Sequence, residues 1–219
     1  MDLPGTLHGQ LFLLTVDRRR GRFDHQYPHL LGMALRAAML TDLFLSGHVE
    51  DVHGMPRRYG AEDPDDPALL AAVREVAHRQ YSSWAAAIAD RPERVVRTVC
   101  EQMIRRGWIT IGRGIRWIGT PRVTLDDEAA VDALHQRVTH ALRNTIHGLP
   151  ADPSPLAVGL LGVLGQLPTV FSYDEAAEHR PRLRSLIEAT IEPILGLDEA
   201  IHLMQSEERA DNLFWRSKL

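Results

Sequence analysis

Cysteine, lysine and long apolar runs are all scarce in this chain of 219 residues. The single cysteine, Cys100, excludes an internal disulfide framework and a cysteine-rich zinc module. The longest apolar run, Pro155 to Gly165, has 11 residues, which is too short to cross a bilayer core of about 30 Å. No basic and apolar leader opens the sequence. We therefore expect neither a disulfide scaffold nor an integral helical membrane protein.

The composition is that of a globular protein, with 44% apolar and 25% charged residues. The length and the absence of a linker or repeat predict one domain over residues 1–219. The net charge of −4 argues against a nucleic-acid partner. Of the 25 basic residues only Lys218 is lysine. Codon choice in a GC-rich genome is one interpretation of this bias. Arginine also holds phosphate in a bidentate manner, so basic clusters in this chain suit phosphate.

Apolar periodicity and capping residues predict a mainly α-helical fold. The predicted helices cover residues 7–16, 28–46, 68–79, 83–89, 92–106, 124–144, 155–167, 172–180, 181–195 and 198–210. Two of them, 28–46 and 155–167, are apolar nearly all round and should be buried at the centre. Asp90 is the expected N-cap of the helix over 92–106. A small hairpin is expected over 48–60, around His53-Gly54.

The strongest hairpin signal lies at residues 108–118, where two apolar runs flank Gly112-Arg113-Gly114. A two-stranded ribbon cannot bury both of its faces. One face should contact the helical core and the other a membrane interface or a second copy of the chain, although simple packing on the parent domain is an equally good alternative. The residues expected to make these outer contacts are Trp108, Ile111, Arg113, Ile115 and Trp117.

Arg36 lies in the middle of the apolar helix over 28–46. A buried guanidinium is costly unless an anion meets it. That anion is either an internal carboxylate or a phosphate bound from outside. Tyr27, just before the same helix, has the apolar body and polar tip of an interface residue. If an internal carboxylate already holds a sealed Arg36, the argument for a ligand fails and only a scaffold role remains.

Two other groups of arginines could meet an anion. Arg94 and Arg97 share a face at the start of a helix, where free backbone N–H groups also attract anions; the alternative is a solvated face. The run of Arg18, Arg19, Arg20 and Arg22 is either an exposed turn or a group attracted to an anionic surface.

No catalytic or metal-binding signature is present. The 11 histidines are scattered, without a His-Glu-x-x-His pattern. The acidic residues of 62–66 read as a turn and helix cap. The glycines at 159, 162 and 165 follow no predicted strand, so they indicate close helix packing and not a nucleotide loop. The sequence predicts neither an enzyme nor a bound cofactor or metal.

Two segments, LLTVDRRRGRF (13–23) and LLGMALRAAMLTDLFLSGHVED (30–51), resemble the opening of the Golgi phosphoprotein 3 (GPP34) family. The order that follows is also similar: a helix ending in RRGWI (105–109), a hairpin, then a basic helix and an apolar one. The chain resembles the bacterial, actinobacterial-type members of the family over most of its length.

The resemblance implies a helical domain around a central bundle, and a peripheral membrane protein that binds phosphatidylinositol 4-phosphate. In the family an aromatic residue stands nine positions before an arginine of the central helix, which falls on Tyr27 and Arg36. Two further basic residues, three apart, fall on Arg94 and Arg97. The family hairpin, associated with membrane insertion and self-assembly, falls on 108–118. The implied location is the cytoplasmic face of a membrane.

Three hypotheses follow. The first is a peripheral protein whose partner is an anionic phospholipid headgroup. The second is a non-enzymatic scaffold or adaptor that oligomerises through its hairpin, with Arg36 paired internally. The third is a DNA-binding protein with 92–118 as recognition helix and wing, which the acidic net charge disfavours.

Overall fold

Ten helices account for most of the described part of the chain. The computed structural model describes residues 3–24, 27–112 and 122–216, with side chains described as far as residue 206. The helices are α1 (Leu7–Leu13), α2 (Pro28–Leu45), α3 (Pro67–Arg79), α4 (Trp84–Ala89), α5 (Pro92–Arg105), α6 (Glu128–Ile146), α7 (Pro153–Leu164), α8 (Tyr173–Glu178), α9 (Arg180–Glu188) and α10 (Glu192–Arg216). The prediction of a mainly α-helical domain is confirmed.

Helix α2 lies at the centre of the fold, as its composition predicts. Thirteen of its 18 residues are buried, and it packs against α1, α3, α5, α7 and α10. Its apolar side chains belong to one core cluster with those of the surrounding helices. Other helices surround α2 on every side. A helix in this position needs apolar residues all round, because a polar side chain there would be buried and would need a partner.

The second predicted central helix, α7, is buried around its middle turn and more exposed towards its start. Its buried residues run from Val158 to Gly162, and it packs mainly against α6, α1 and α2. The glycine spacing serves close packing, as predicted. A methyl group on Gly159 would lie 2.0 Å from Leu142 Cδ1, and one on Gly165 would lie 2.9 Å from Ala34 Cβ.

The described residues also form three short antiparallel strand pairs. They are β1 (Val16–Asp17) with β2 (Arg22–Phe23), β3 (Val49–Val52) with β4 (Met55–Arg58), and β5 (Ile109–Ile111) with β6 (Val123–Leu125). The second pair confirms the hairpin predicted around His53-Gly54. The first pair was not predicted, because two-residue strands are too short to leave a pattern in the sequence.

The predicted return strand of the third hairpin is wrong. Ile109 pairs with Leu125 and Ile111 with Val123, so β5 does not turn back at Gly112 and its partner lies beyond residue 121. Both strands alternate in burial, with Val123 and Leu125 facing the core. Thr124 therefore lies in a strand, and α6 begins four residues later than predicted, with Asp127 as its N-cap.

Candidate functional site

Arg36 is 2% exposed and its guanidinium is held by three other parts of the chain. Nη1 donates to Glu75 Oε2 at 2.7 Å. Nε donates to the carbonyl oxygen of Ala87 at 3.3 Å, and Nη2 donates to the hydroxyl of Tyr81 at 3.3 Å. The structure thus confirms the alternative in which an internal carboxylate neutralises Arg36. The condition under which the sequence argument for a ligand fails is therefore met, because Arg36 in this arrangement is closed to an external anion. A case for a ligand has to rest on the exposed arginines beside it.

A second layer of polar contacts fixes that arrangement. The Tyr81 hydroxyl donates to Asp90 Oδ2 at 2.6 Å, and Arg79 Nε lies 3.3 Å from the same oxygen. Burial, reinforced by the hydrogen bond to Asp90, raises the pKa of Tyr81 to about 12. Tyr81 therefore stays protonated at neutral pH and links the Arg36 guanidinium to the Asp90 carboxylate.

Asp90 is not the N-cap of α5. Its carboxylate is engaged by Tyr81 and Arg79, and Arg91 takes the N-cap position without a side-chain cap. Arg91 adopts a left-handed backbone conformation with φ of 52°, which is uncommon for a residue other than glycine. The tertiary contacts of Asp90 thus override its local capping preference.

Glu75 connects this buried group to the surface. Its Oε1 lies 3.6 Å from Arg94 Nη1, while Oε2 holds Arg36. Arg94 is 63% exposed and Glu75 is 28% exposed. The Arg36 cluster, defined as Arg36, Glu75, Arg79, Asp90, Arg91 and Arg94, contains four guanidinium groups and two carboxylates, so it has an excess of two positive charges. A cleft of about 40 Å³ opens beside it, lined by all of these residues except Arg79.

The beginnings of α2 and α5 lie side by side. His29 Nδ1 is 2.7 Å from Glu93 Oε1, and Gly32 packs against the backbone of Pro92. This contact places Tyr27, which is 51% exposed, on the segment leading into the same helix pair as Arg94. Arg97 is also exposed on α5. The structure therefore places Arg94 in the Arg36 cluster, with Arg97 one turn farther along α5.

The predicted outer contacts of the third hairpin divide into two groups. Trp108 is 4% exposed and belongs to the core, so the expectation that it meets a membrane or a second copy is wrong. It lies between α5 and β5, which pack against each other. Ile111 is half-buried at the end of β5. Arg113, Ile115 and Trp117 lie outside the described residues.

The arginine-rich turn between β1 and β2 contacts the stem of the third hairpin. The backbone N–H of Val123 donates to the carbonyl of Gly21 at 2.8 Å. Two of the four arginines have acidic neighbours: Arg18 pairs with Asp132, and Arg20 lies 3.5 Å from Asp17. Arg19 and Arg22 are exposed. Only part of the positive charge of this turn is neutralised by these two contacts.

Glu75 and Tyr81 are two partners of Arg36 that sequence reasoning missed. Glu75 is the only acidic residue of α3, a helix with buried apolar positions on either side of it at Val73 and Val76. A single carboxylate in such a helix is a candidate partner for a buried arginine. Tyr81 gave no signal, since a lone tyrosine after a helix is common in any fold. The described residues contain no group of three or more side chains suited to a metal ion.

A comparison with protein-family models matches residues 7–200 with Golgi phosphoprotein 3 (GPP34). The chain belongs to the GPP34 family. The match includes the whole Arg36 cluster, the arginine-rich turn and both strands of the third hairpin. GPP34 is not known as a family of enzymes. A comparison with curated protein sequences found no match. Within the described residues, none of the helices has the length and apolar character needed to span a bilayer.

Proposed function

We propose that this GPP34 member attaches peripherally to anionic membranes by binding a phosphate-bearing lipid headgroup of the phosphatidylinositol 4-phosphate type. The observation that carries the proposal is the exposed arginine pair of α5, of which Arg94 belongs to the Arg36 cluster with its excess of two positive charges. Arg94 and Arg97 are one turn apart and both reach solvent, so both can donate to one phosphate group.

The other residues take supporting roles in this proposal. Tyr27 has an exposed ring at the start of α2 and can sit at the level of the headgroups, where aromatic side chains with a polar tip are favoured. Arg36 acts behind the surface by holding Glu75 and contributing positive charge. Arg19 and Arg22 of the β1–β2 turn add attraction to an anionic surface that does not depend on headgroup identity.

Vesicle co-sedimentation tests the proposal. The double variant Arg94→Ala/Arg97→Ala should bind vesicles containing phosphatidylinositol 4-phosphate about 30-fold more weakly, since each basic residue near an anionic membrane contributes about 1 kcal/mol. The matched control is Arg137→Ala/Arg182→Ala, which removes the same charge from exposed positions on α6 and α9. Equal pelleting of the wild type with neutral and anionic vesicles, or equal losses in both double variants, would refute the proposal.

One observation favours a second candidate function. Because Glu75 already neutralises Arg36, the cluster is also consistent with a scaffold protein that assembles through its third hairpin and binds no lipid. Light scattering distinguishes the two. A scaffold should form oligomers that dissociate when Trp117→Asp is introduced, and its Arg94→Ala/Arg97→Ala variant should behave as the wild type does with vesicles.

A further inference from the structure

The Glu75 carboxylate bridges two arginines from two different helices. Oε2 lies 2.7 Å from Arg36 Nη1 in α2, and Oε1 lies 3.6 Å from Arg94 Nη1 in α5. One arginine is buried and the other exposed, so the carboxylate spans the boundary between the core and solvent. A phosphate group held by the same two guanidinium groups would use its oxygens in the same way.

Arg36 does not depend on Glu75 alone for its position. The carbonyl oxygen of Ala87 and the hydroxyl of Tyr81 accept from its Nε and Nη2, and Tyr81 is itself fixed by Asp90. If the Glu75 side chain turned outward, these contacts would keep the guanidinium in place. The result would be a preorganised buried donor without its carboxylate.

The charge of the cluster also favours exchange of one anion for another. Four guanidinium groups face two carboxylates, and Arg91 and Arg94 are 58% and 63% exposed. A phosphate monoester carries about −1.5 to −2 charges at neutral pH. Replacing the single charge of Glu75 by such a group would balance more of the positive excess than the carboxylate does.

The contacts of Arg36 require replacement and not addition. Its side chain is 3% exposed and its three nitrogens already have partners, of which Glu75, at 28% exposed, is the one that reaches the surface. A phosphate group could not enter next to the carboxylate with both in contact with Arg36. It must take the carboxylate's position, and the partial exposure of Glu75 gives that side chain a path outward.

We infer that the Glu75 carboxylate is an internal counter-ion that occupies the anion position between Arg36 and Arg94, and that an incoming phosphate monoester displaces it. This inference rests on the proposed function and deepens it, because it names the group that limits access to the site. Glu75 then lowers the affinity for phosphate and reserves binding for ligands that carry more charge than a single carboxylate.

The direct test is Glu75→Gln, which keeps the size of the side chain and removes its charge. Binding to vesicles containing phosphatidylinositol 4-phosphate should tighten by about 5-fold or more, since the ion pairs of Glu75 with the buried Arg36 and the exposed Arg94 no longer have to be broken. The matched control is Glu101→Gln, which removes a carboxylate that lies 3.7 Å from Arg105 on the same helix α5. The control should change binding little.

A second variant guards against a folding defect in the first. Glu75→Asp keeps the charge but draws it back by one methylene group, so that it should bind more tightly than the wild type and less tightly than Glu75→Gln. Titration with inorganic phosphate and with soluble inositol 1,4-bisphosphate separates the two sources of the ligand. A gain of affinity for these alone indicates a free phosphate compound, and a gain for vesicles indicates a lipid headgroup; either gain supports displacement of Glu75.

The outcomes separate this inference from the proposed function. If the wild type prefers anionic vesicles and loses this preference in Arg94→Ala/Arg97→Ala, but neither Glu75 variant binds any phosphate ligand more tightly, only the displacement is overturned. If neither the wild type nor Glu75→Gln distinguishes anionic from neutral vesicles, the membrane proposal is overturned, and a gain in the soluble titrations alone would still support displacement.

Discussion

Gly32→Ala tests the close approach of α2 and α5, on which the geometry of the candidate site depends. A methyl group at residue 32 would lie 2.3 Å from the carbonyl oxygen of Pro92, 2.5 Å from its carbonyl carbon and 2.6 Å from its Cβ. Two of these atoms belong to backbone, and the third to a proline ring fixed to it. None can rotate away, so the two helices must move apart.

The size of the effect follows from two opposing contributions. Alanine in a helix interior is favoured over glycine by about 1 kcal/mol. Overpacking against rigid neighbours costs about 1–3 kcal/mol, and here the oxygen must retreat by about 1.1 Å to reach the 3.4 Å at which ordinary contact begins. Such a shift also loosens the contacts of Val95 and Val99, both buried on α5. Because the clash is with backbone, its cost lies at the upper end of that range, and we expect a net loss of about 2 kcal/mol in the free energy of unfolding.

Thermal unfolding followed by circular dichroism measures this loss. For a chain of this size 2 kcal/mol lowers Tm by about 4–8 °C. The control is Gly5→Ala, because no atom lies within 4 Å of the added methyl group and the residue lies before α1; its stability should change by less than about 0.5 kcal/mol. If Gly32→Ala melts at or above the wild-type temperature, the helix propensity outweighs the clash and the close crossing of α2 and α5 is refuted.

Three further predictions concern the cluster and two titrating groups. Arg36→Met should lower the free energy of unfolding by about 2–3 kcal/mol in urea titrations, because it leaves Glu75 and Tyr81 without their donor; unchanged stability would contradict the structural role of the ion pair. Hydrogen bonds from Arg143 first, and then from Ser172, hold the pKa of Glu175 below its ordinary value. The stability that the Glu175 carboxylate contributes is therefore present above the unfolded-state pKa of about 4.3 and lost as the pH falls through the lower folded-state pKa. The wild type should be more stable than Glu175→Gln at pH 7, and this difference in the free energy of unfolding should shrink on acidification. Burial, followed by the nearby Glu101 charge, raises the pKa of the Cys100 thiol, so thiol-disulfide reagents should react more slowly with the folded protein than with the unfolded chain at pH 8, and equal rates would contradict this.

Local signals were sufficient where the structure of a segment depends on its own residues. Asp66 caps α3 by accepting from the backbone N–H groups of Ala68 and Leu69, and Ser172 with Glu175 forms a capping box at the start of α8. These interactions join residues two or three positions apart, so the sequence alone specifies them. The same holds for α2, whose apolar composition predicts a buried helix whatever surrounds it.

The third hairpin shows where local signals fail. The run from Trp108 to Ile118 has the composition of a tight hairpin, but β5 pairs with a strand that begins at Val123. Ile109 and Leu125 are 16 positions apart, and both are buried. Which of two nearby apolar segments pairs with β5 depends on which one can also reach the core, and this is a property of the assembled fold.

The amino-acid sequence by itself determined that the chain forms a helical domain around one apolar helix, and that a charged side chain lies inside it. Only the tertiary structure decided how that charge is balanced. Arg36 and Glu75 are 39 positions apart, and Asp90 accepts a hydrogen bond from Tyr81 and does not cap α5. Helices and caps arise from contacts within a few residues, whereas the partner of a buried charge is chosen by the packing of distant helices, which no local pattern records.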